Sequence, residues 1–313
     1  MRNIRKAALG AAILALIVSA CSLGGSSQAP KGTIASQFAL AGPPECPDRP
    51  FCLKGLTETY GLTFKEFKPT DAGGPITIEA LKKGDAQLGL LFTSDPAIAV
   101  NGFVLLKDDK QLQLADNLVP VVRQAVIDAN PVVKDALNAV MAKMDQATLT
   151  DLNKQVTVDG KAAGDVAAAW IGTQGFSFSG GSGTVKVGST NFYEQEILGE
   201  IYAQVLEGAG LTVERKFQLG NREIVFPALE SGDIDILAEY AATALEFVNK
   251  GAGEASTDPV ATVAKLNEHL PGMGGLVALD PAAATDQNGF VVTKETADKY
   301  SLVSISDLAK PAP

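Results

Sequence analysis

Two stretches of this chain share one pattern, and it restricts the fold to alternating helices and strands. Glu79-Ala80-Leu81-Lys82-Lys83-Gly84-Asp85 runs into the apolar Leu88-Gly89-Leu90-Leu91, and Leu229-Glu230-Ser231-Gly232-Asp233 runs into Ile234-Asp235-Ile236-Leu237. Each predicts a helix end, a glycine just beyond it, and a short apolar strand. Each strand stops at an aromatic, Phe92 or Tyr240, with a hydroxyl residue close behind, Thr93 or Thr243. A third unit predicts a strand over 185–187, a turn at Gly188-Ser189-Thr190 and an amphipathic helix over 192–207. There Asn191 and Glu194 are placed as N-cap and capping-box partner, with the helix start aimed at the strand's carboxyl end. In open α/β sheets ligands bind outside the carboxyl ends of the strands, so two such units imply two lobes facing a cleft. The segments 132–144 and 166–171 read as packing helices.

Composition removes several function classes. The 313 residues include 26 Lys+Arg against 36 Asp+Glu, a net charge of −10, so no nucleic-acid partner is expected. One histidine, His269, leaves no basis for a His-rich metal site or a Ser-His-Asp triad, and neither enzyme nor cofactor is expected. Hydrophobic residues, 46% of the chain, suffice for a large core. Aromatics are only 6%, which limits any site built from aromatic faces.

The first residues predict export. Arg2, Arg5 and Lys6 precede the apolar stretch 7–20, which is short for a bilayer-spanning helix. Val18-Ser19-Ala20-Cys21 resembles a bacterial lipobox, so 1–20 reads as a lipoprotein signal peptide, Cys21 as the acylated residue and 21–32 as a tether. The expected location is the extracytoplasmic face of the membrane, through a lipid anchor. Export also permits a disulfide between Cys46 and Cys52, the alternative being two free buried thiols.

Taken together, the runs 187–195, 228–243, 286–290 and 304–309 resemble the substrate-binding proteins of osmoprotectant ABC importers, the glycine betaine/choline/carnitine type. So do 42–52 with Gly55-Leu56 and Tyr60-Gly61, 92–98, 106–110, 120–123 and Leu152-Asn153. The resemblance implies a two-lobed, periplasmic-binding-protein-like (type II) α/β fold with a hinge and an interlobe cleft. The motifs stand in circularly permuted order: the family's later half, about 33–175, comes first, and its earlier half, about 184–313, follows. The Gly/Ser-rich 176–183 then reads as a flexible linker bridging the family's ordinary termini. That order places 33–111 and 276–313 in one lobe and 112–275 in the other, with hinge crossings near 110–118 and 272–282.

The same resemblance implies a non-enzymatic, monomeric solute receptor that delivers a small quaternary-ammonium ligand to a permease. The alternative is a surface lipoprotein sensor of another small polar solute. Such a ligand is recognised by cation–π contact with aromatic faces. Tyr240 falls at a cage tyrosine of the family and Thr243 at its neighbouring threonine. Phe92 and Phe290 stand where relatives carry Tyr, and Asp116-Asn117 stands near a further cage position. Asn288, Thr190, Asn191 and Gln195 are polar candidates, joined from the other lobe by Arg49 and Thr93. Asp95 is a candidate counter-charge for the cation.

Overall fold

The computed structural model describes residues 32–313. The expected signal peptide, Cys21 and almost all of the expected tether lie outside the described residues. Ten strands form two sheets: β1 Ala39–Gly42, β2 Glu66–Pro69, β3 Leu88–Phe92, β4 Phe103–Leu105, β5 Leu118–Arg123, β6 Thr184–Gly188, β7 Thr212–Lys216, β8 Ile236–Tyr240, β9 Leu276–Ala278 and β10 Asn288–Thr293. The first sheet has the order β2-β1-β3-β10-β4 and the second the order β7-β6-β8-β5-β9. In each the first three strands in order pair in parallel, and the fourth, β10 or β5, runs antiparallel to both of its neighbours. The protein is thus a two-lobed α/β fold in which both lobes repeat one topology.

The repeated sequence pattern forms matching pieces of the two lobes. Helix Pro75–Lys83 ends at Gly84 with φ 74°, and helix Arg222–Ser231 ends at Gly232 with φ 86°, left-handed conformations that glycine adopts without steric penalty. The chain then enters β3 and β8. In the second sheet, Leu118 and Val122 of β5 join one apolar cluster while Val119 and Val121 join another. That period of two buries both faces, which explains why β5 and β8 are nearly continuous apolar runs.

Three expectations differ from the structure. β9 pairs with β5, so residues 276–278 belong to the second sheet, and the second crossing between sheets spans 279–287. Three residues are too few to carry a period, so their sheet is decided by pairing alone. Asn191 caps nothing: helix Tyr193–Gly208 begins after Phe192 without a side-chain cap, and the Asn191 N–H donates to the Gly220 carbonyl at 2.9 Å. The stretch 176–183, flexible by composition, is fastened to its lobe. Phe176 packs edge-on against Trp170 with centroids 5.9 Å apart, and the Gly181 N–H donates to the Ala209 carbonyl.

Residues near the two ends of the described chain lie side by side. The Ile34 N–H donates to the Lys310 carbonyl at 2.9 Å, and the Ala312 N–H to the Gly32 carbonyl at 2.8 Å. Nearby, Cys46 and Cys52 are joined as a disulfide just before helix Leu53–Tyr60. Gly55 lets that helix sit against the loop: a Cβ there would stand 1.8 Å from the Pro50 carbonyl oxygen and 2.6 Å from Leu112. Gly55→Ala is therefore expected to destabilise the protein by about 1–3 kcal/mol. A thermal melt checks this, and an unchanged transition would mean that the loop yields freely.

Candidate functional site

A cavity of about 540 Å³ lies between the lobes, reached from the carboxyl ends of β3 and β8. Strand register explains how the two sheets supply it. Phe92, the last residue of β3, faces Asn288 of β10, and Tyr240, the last residue of β8, faces Leu118 of β5. Phe92, Asn288 and Tyr240 all line the cavity. Phe92 packs on Phe192 with ring centroids 4.4 Å apart, so the two lobes meet through aromatic faces. Phe51 and Phe247 complete the aromatic lining.

Of the sequence candidates, Tyr240, Thr243, Thr190, Asn191, Gln195, Asn288, Phe92 and Arg49 are brought together here. The Tyr240 hydroxyl donates to Glu194 Oε1 at 2.7 Å. Gln195 Nε2 donates to the Ala238 carbonyl at 2.7 Å, and Asn288 Nδ2 to the Phe51 carbonyl at 2.9 Å. These two amides are already committed to holding the cavity wall. Arg49 is committed as well: its Nη2 donates to both oxygens of Glu223 at 2.9 Å across the cleft and lies 3.5 Å from Glu45. It is an interlobe contact in this arrangement rather than a free anchor for a ligand carboxylate.

Three candidates lie outside the cavity lining. Phe290 shares a strand face with Asn288 but sits two residues deeper, about 7 Å along the strand. Its ring is 1% exposed and belongs to the core cluster of Phe38, Leu40 and Leu90. Thr93 is spent on the second crossing, its hydroxyl accepting from the Gln287 N–H and its own N–H donating to the Gln287 carbonyl, both at 2.9 Å. Asp95 accepts the Ala97 N–H at 2.7 Å, and burial pushes its carboxyl up to about 6.

The site also gathers acidic groups. Asp116 and Asp286 line the cavity, and Glu194 lies directly beneath Tyr240. Asp286 was visible in principle, because a period of two along the run 286–290 puts it on the face of Asn288. Glu194 is fully buried and accepts from Tyr240, from the Ser94 hydroxyl at 2.7 Å and from Asn153 Nδ2. Arg222 is consumed by Glu239, its Nε and Nη2 donating to the carboxylate at 2.7–3.1 Å, and Nη2 also reaches Thr243. Among the described residues no group of three or more His, Cys, Asp or Glu is arranged to hold a metal ion.

Burial raises the carboxyls of Asp116, Asp286 and Glu194 above the usual carboxylate range. Asp116 is pushed up to about 7, although the Thr243 N–H and the Arg222 charge oppose the shift. The Glu194 charge reinforces the effect at Asp286. At these groups the folded protein keeps protons that the unfolded chain has already lost, in the case of Asp116 from about pH 4 to about pH 7. Its stability should fall as pH rises through that window, with the Asp116 share fully lost above about 7. Melting temperatures measured across pH 4–8 for the wild type and Asp116→Asn check this: the variant should show the shallower decline, and parallel curves would remove Asp116 as a contributor.

A family model described as "Substrate binding domain of ABC-type glycine betaine transport system" matches residues 28–173 and 183–313. The glycine betaine-binding protein YehZ of Escherichia coli is 35% identical over 130 residues, 40% of this chain and 41% of that protein. A glycine-betaine-binding protein of Pseudomonas aeruginosa is 31% identical over 138 residues, 44% of each. The carnitine transport binding protein OpuCC of Listeria monocytogenes is 29% identical over 129 residues, 41% of each. The chain thus spans less than half the length of each of these relatives.

Proposed function

Because the chain belongs to the family of substrate-binding domains of ABC-type glycine betaine transport systems, we propose that it captures a small organic ammonium solute between its lobes and delivers it to a membrane permease. The family is one of binding domains, and the chain is not an enzyme. The solute class is that of glycine betaine and carnitine, as the names of two relatives suggest. The observation that carries this reading is the make-up of the cavity, which Phe92, Phe192 and Tyr240 line with aromatic rings beside the acidic groups Asp116 and Asp286. Aromatic quadrupoles and anionic oxygens both favour a cation.

Acylation at Cys21 would hold the receptor at the outer face of the membrane. Among the described residues no helix is long and apolar enough to cross a membrane. The permuted order of the motifs draws support from two features. The matched spans leave out 174–182, the segment that would bridge the family's ordinary termini. The hydrogen bonds between residues 32–34 and 310–312 put the opposite junction within reach of a direct peptide connection.

Titration calorimetry of the lipid-free protein with glycine betaine, proline betaine, choline and carnitine tests the reading. At least one should bind, and silence across the panel would sink it. Phe92→Ala should weaken that binding by about thirtyfold, the scale of one desolvated cation–π contact of about 2 kcal/mol. An unchanged affinity would place the cation elsewhere in the cavity.

A further inference from the structure

The turn after β3 is seated on the start of helix Tyr193–Gly208, which belongs to the opposite lobe. Phe92 meets Phe192 there, and two residues farther on the Ser94 hydroxyl donates to Glu194 Oε2 at 2.7 Å. Asn153 Nδ2 braces the contact by donating to the same oxygen and to Ser94 Oγ, the latter at 3.1 Å. The other oxygen, Oε1, accepts the Tyr240 hydroxyl at 2.7 Å. Ser94, Asn153 and Glu194 are fully buried, whereas Tyr240 is 8% exposed and lines the cavity. Glu194 thus stands between two lobes and two tasks, with one oxygen on a cavity ring and the other on Ser94. The Ser94 N–H also donates to Asp286 Oδ1 at 3.0 Å, which sets this link beside the second crossing.

A tyrosine ring has a broad torsional preference about its second side-chain bond, so its tilt is not fixed by rotamer choice. A hydrogen bond at the hydroxyl end fixes it. Among the described residues Glu194 is the one partner of the Tyr240 hydroxyl. Cation–π attraction depends on which part of the ring is presented, so the tilt governs how well Tyr240 can receive an ammonium group. The buried carboxyl cannot turn to water if Ser94 withdraws. It must reorient towards the donors that remain, and Tyr240 moves with it.

We infer that Ser94 and Glu194 are positioning residues for ligand capture: Glu194 holds the Tyr240 ring towards the cavity, and Ser94 holds Glu194 from the opposite lobe, so that ring orientation and lobe contact are set together. This inference rests on the proposal that the cavity receives an organic ammonium solute, and it adds how the two lobes assemble the site. Hinge closure then completes the aromatic lining in the same movement that brings the walls together.

Ser94→Ala and Tyr240→Phe each remove one hydroxyl, and a double variant removes both. Calorimetry with glycine betaine and carnitine should show each single change weakening the tighter probe about tenfold. The double variant should bind within about twofold of the weaker single variant, because breaking either end already frees the ring. Losses that multiply to about a hundredfold would overturn the link and leave the ammonium reading intact. A lowered melting temperature with unchanged affinity in either single variant would do the same, marking that bond as structural alone. X-ray scattering from the ligand-free proteins reads the link without a probe. Tyr240→Phe alters no residue of the first lobe, yet it should raise the radius of gyration as Ser94→Ala does. An unchanged radius in Tyr240→Phe overturns the inference whatever Ser94→Ala shows, and this comparison needs no double variant. If neither probe binds the wild type and proline betaine and choline are silent as well, the ammonium reading falls, and scattering alone decides the link.

Discussion

The arrangement depends on one buried carboxylate. Glu194 lies at the start of helix Tyr193–Gly208 and is fully buried, which is unfavourable for an acidic side chain unless donors surround it. The donors come from both lobes: Ser94 follows β3 in the first, while Asn153 and Tyr240 belong to the second. The same Ser94 gives its N–H to Asp286 on the second crossing. One small polar cluster thereby ties together the carboxyl ends of β3 and β8, a helix start and a crossing strand. Removing any member would leave a buried acceptor or donor unpaired, so the cluster constrains the cavity far more tightly than its size suggests.

Much of the scaffold is legible in the sequence because it rests on local signals. The glycines at 84 and 232 mark helix ends through backbone conformation alone, and the apolar runs after them form β3 and β8. The aromatics that close those strands, Phe92 and Tyr240, stand on the cavity wall for the same local reason. What escaped depends on tertiary partners. Asn191 and Glu194 have the spacing of a capping pair, yet Glu194 satisfies its oxygens with Tyr240 and Asn153 of its own lobe and Ser94 of the other. Phe290 and Asn288 share one strand face, and only depth along the strand separates a core ring from a cavity amide. Asp116 and Asp286 gain their meaning from lying beside each other, although they are far apart in the chain.

Charge at the cavity is graded from mouth to interior. Near the mouth, Arg49 and Glu223 pair across the cleft while remaining 31% and 41% exposed. A pair so accessible to water contributes roughly 0–1 kcal/mol, enough to bias approach of the lobes but not to hold them shut. Farther in, Arg222 and Glu239 are nearly excluded from solvent, 10% and 1% exposed, and neutralise each other through a two-pronged contact. The acidic groups without a cationic partner inside are Asp116, Asp286 and Glu194, and burial holds all three above the usual carboxylate range.

That gradient bears on the scarcity of aromatics in the sequence. Five phenyl or phenol rings line the cavity, so the site is not poor in π-faces despite the low overall content. It departs from a purely aromatic cage in its inner wall, where the acidic groups Asp116 and Asp286 stand. An aromatic cage holds a cation through polarisable faces and tolerates methyl groups on every side. A carboxylate wall rewards a directed donor, because in a site removed from water the strength of an N–H···O contact depends on geometry as well as charge.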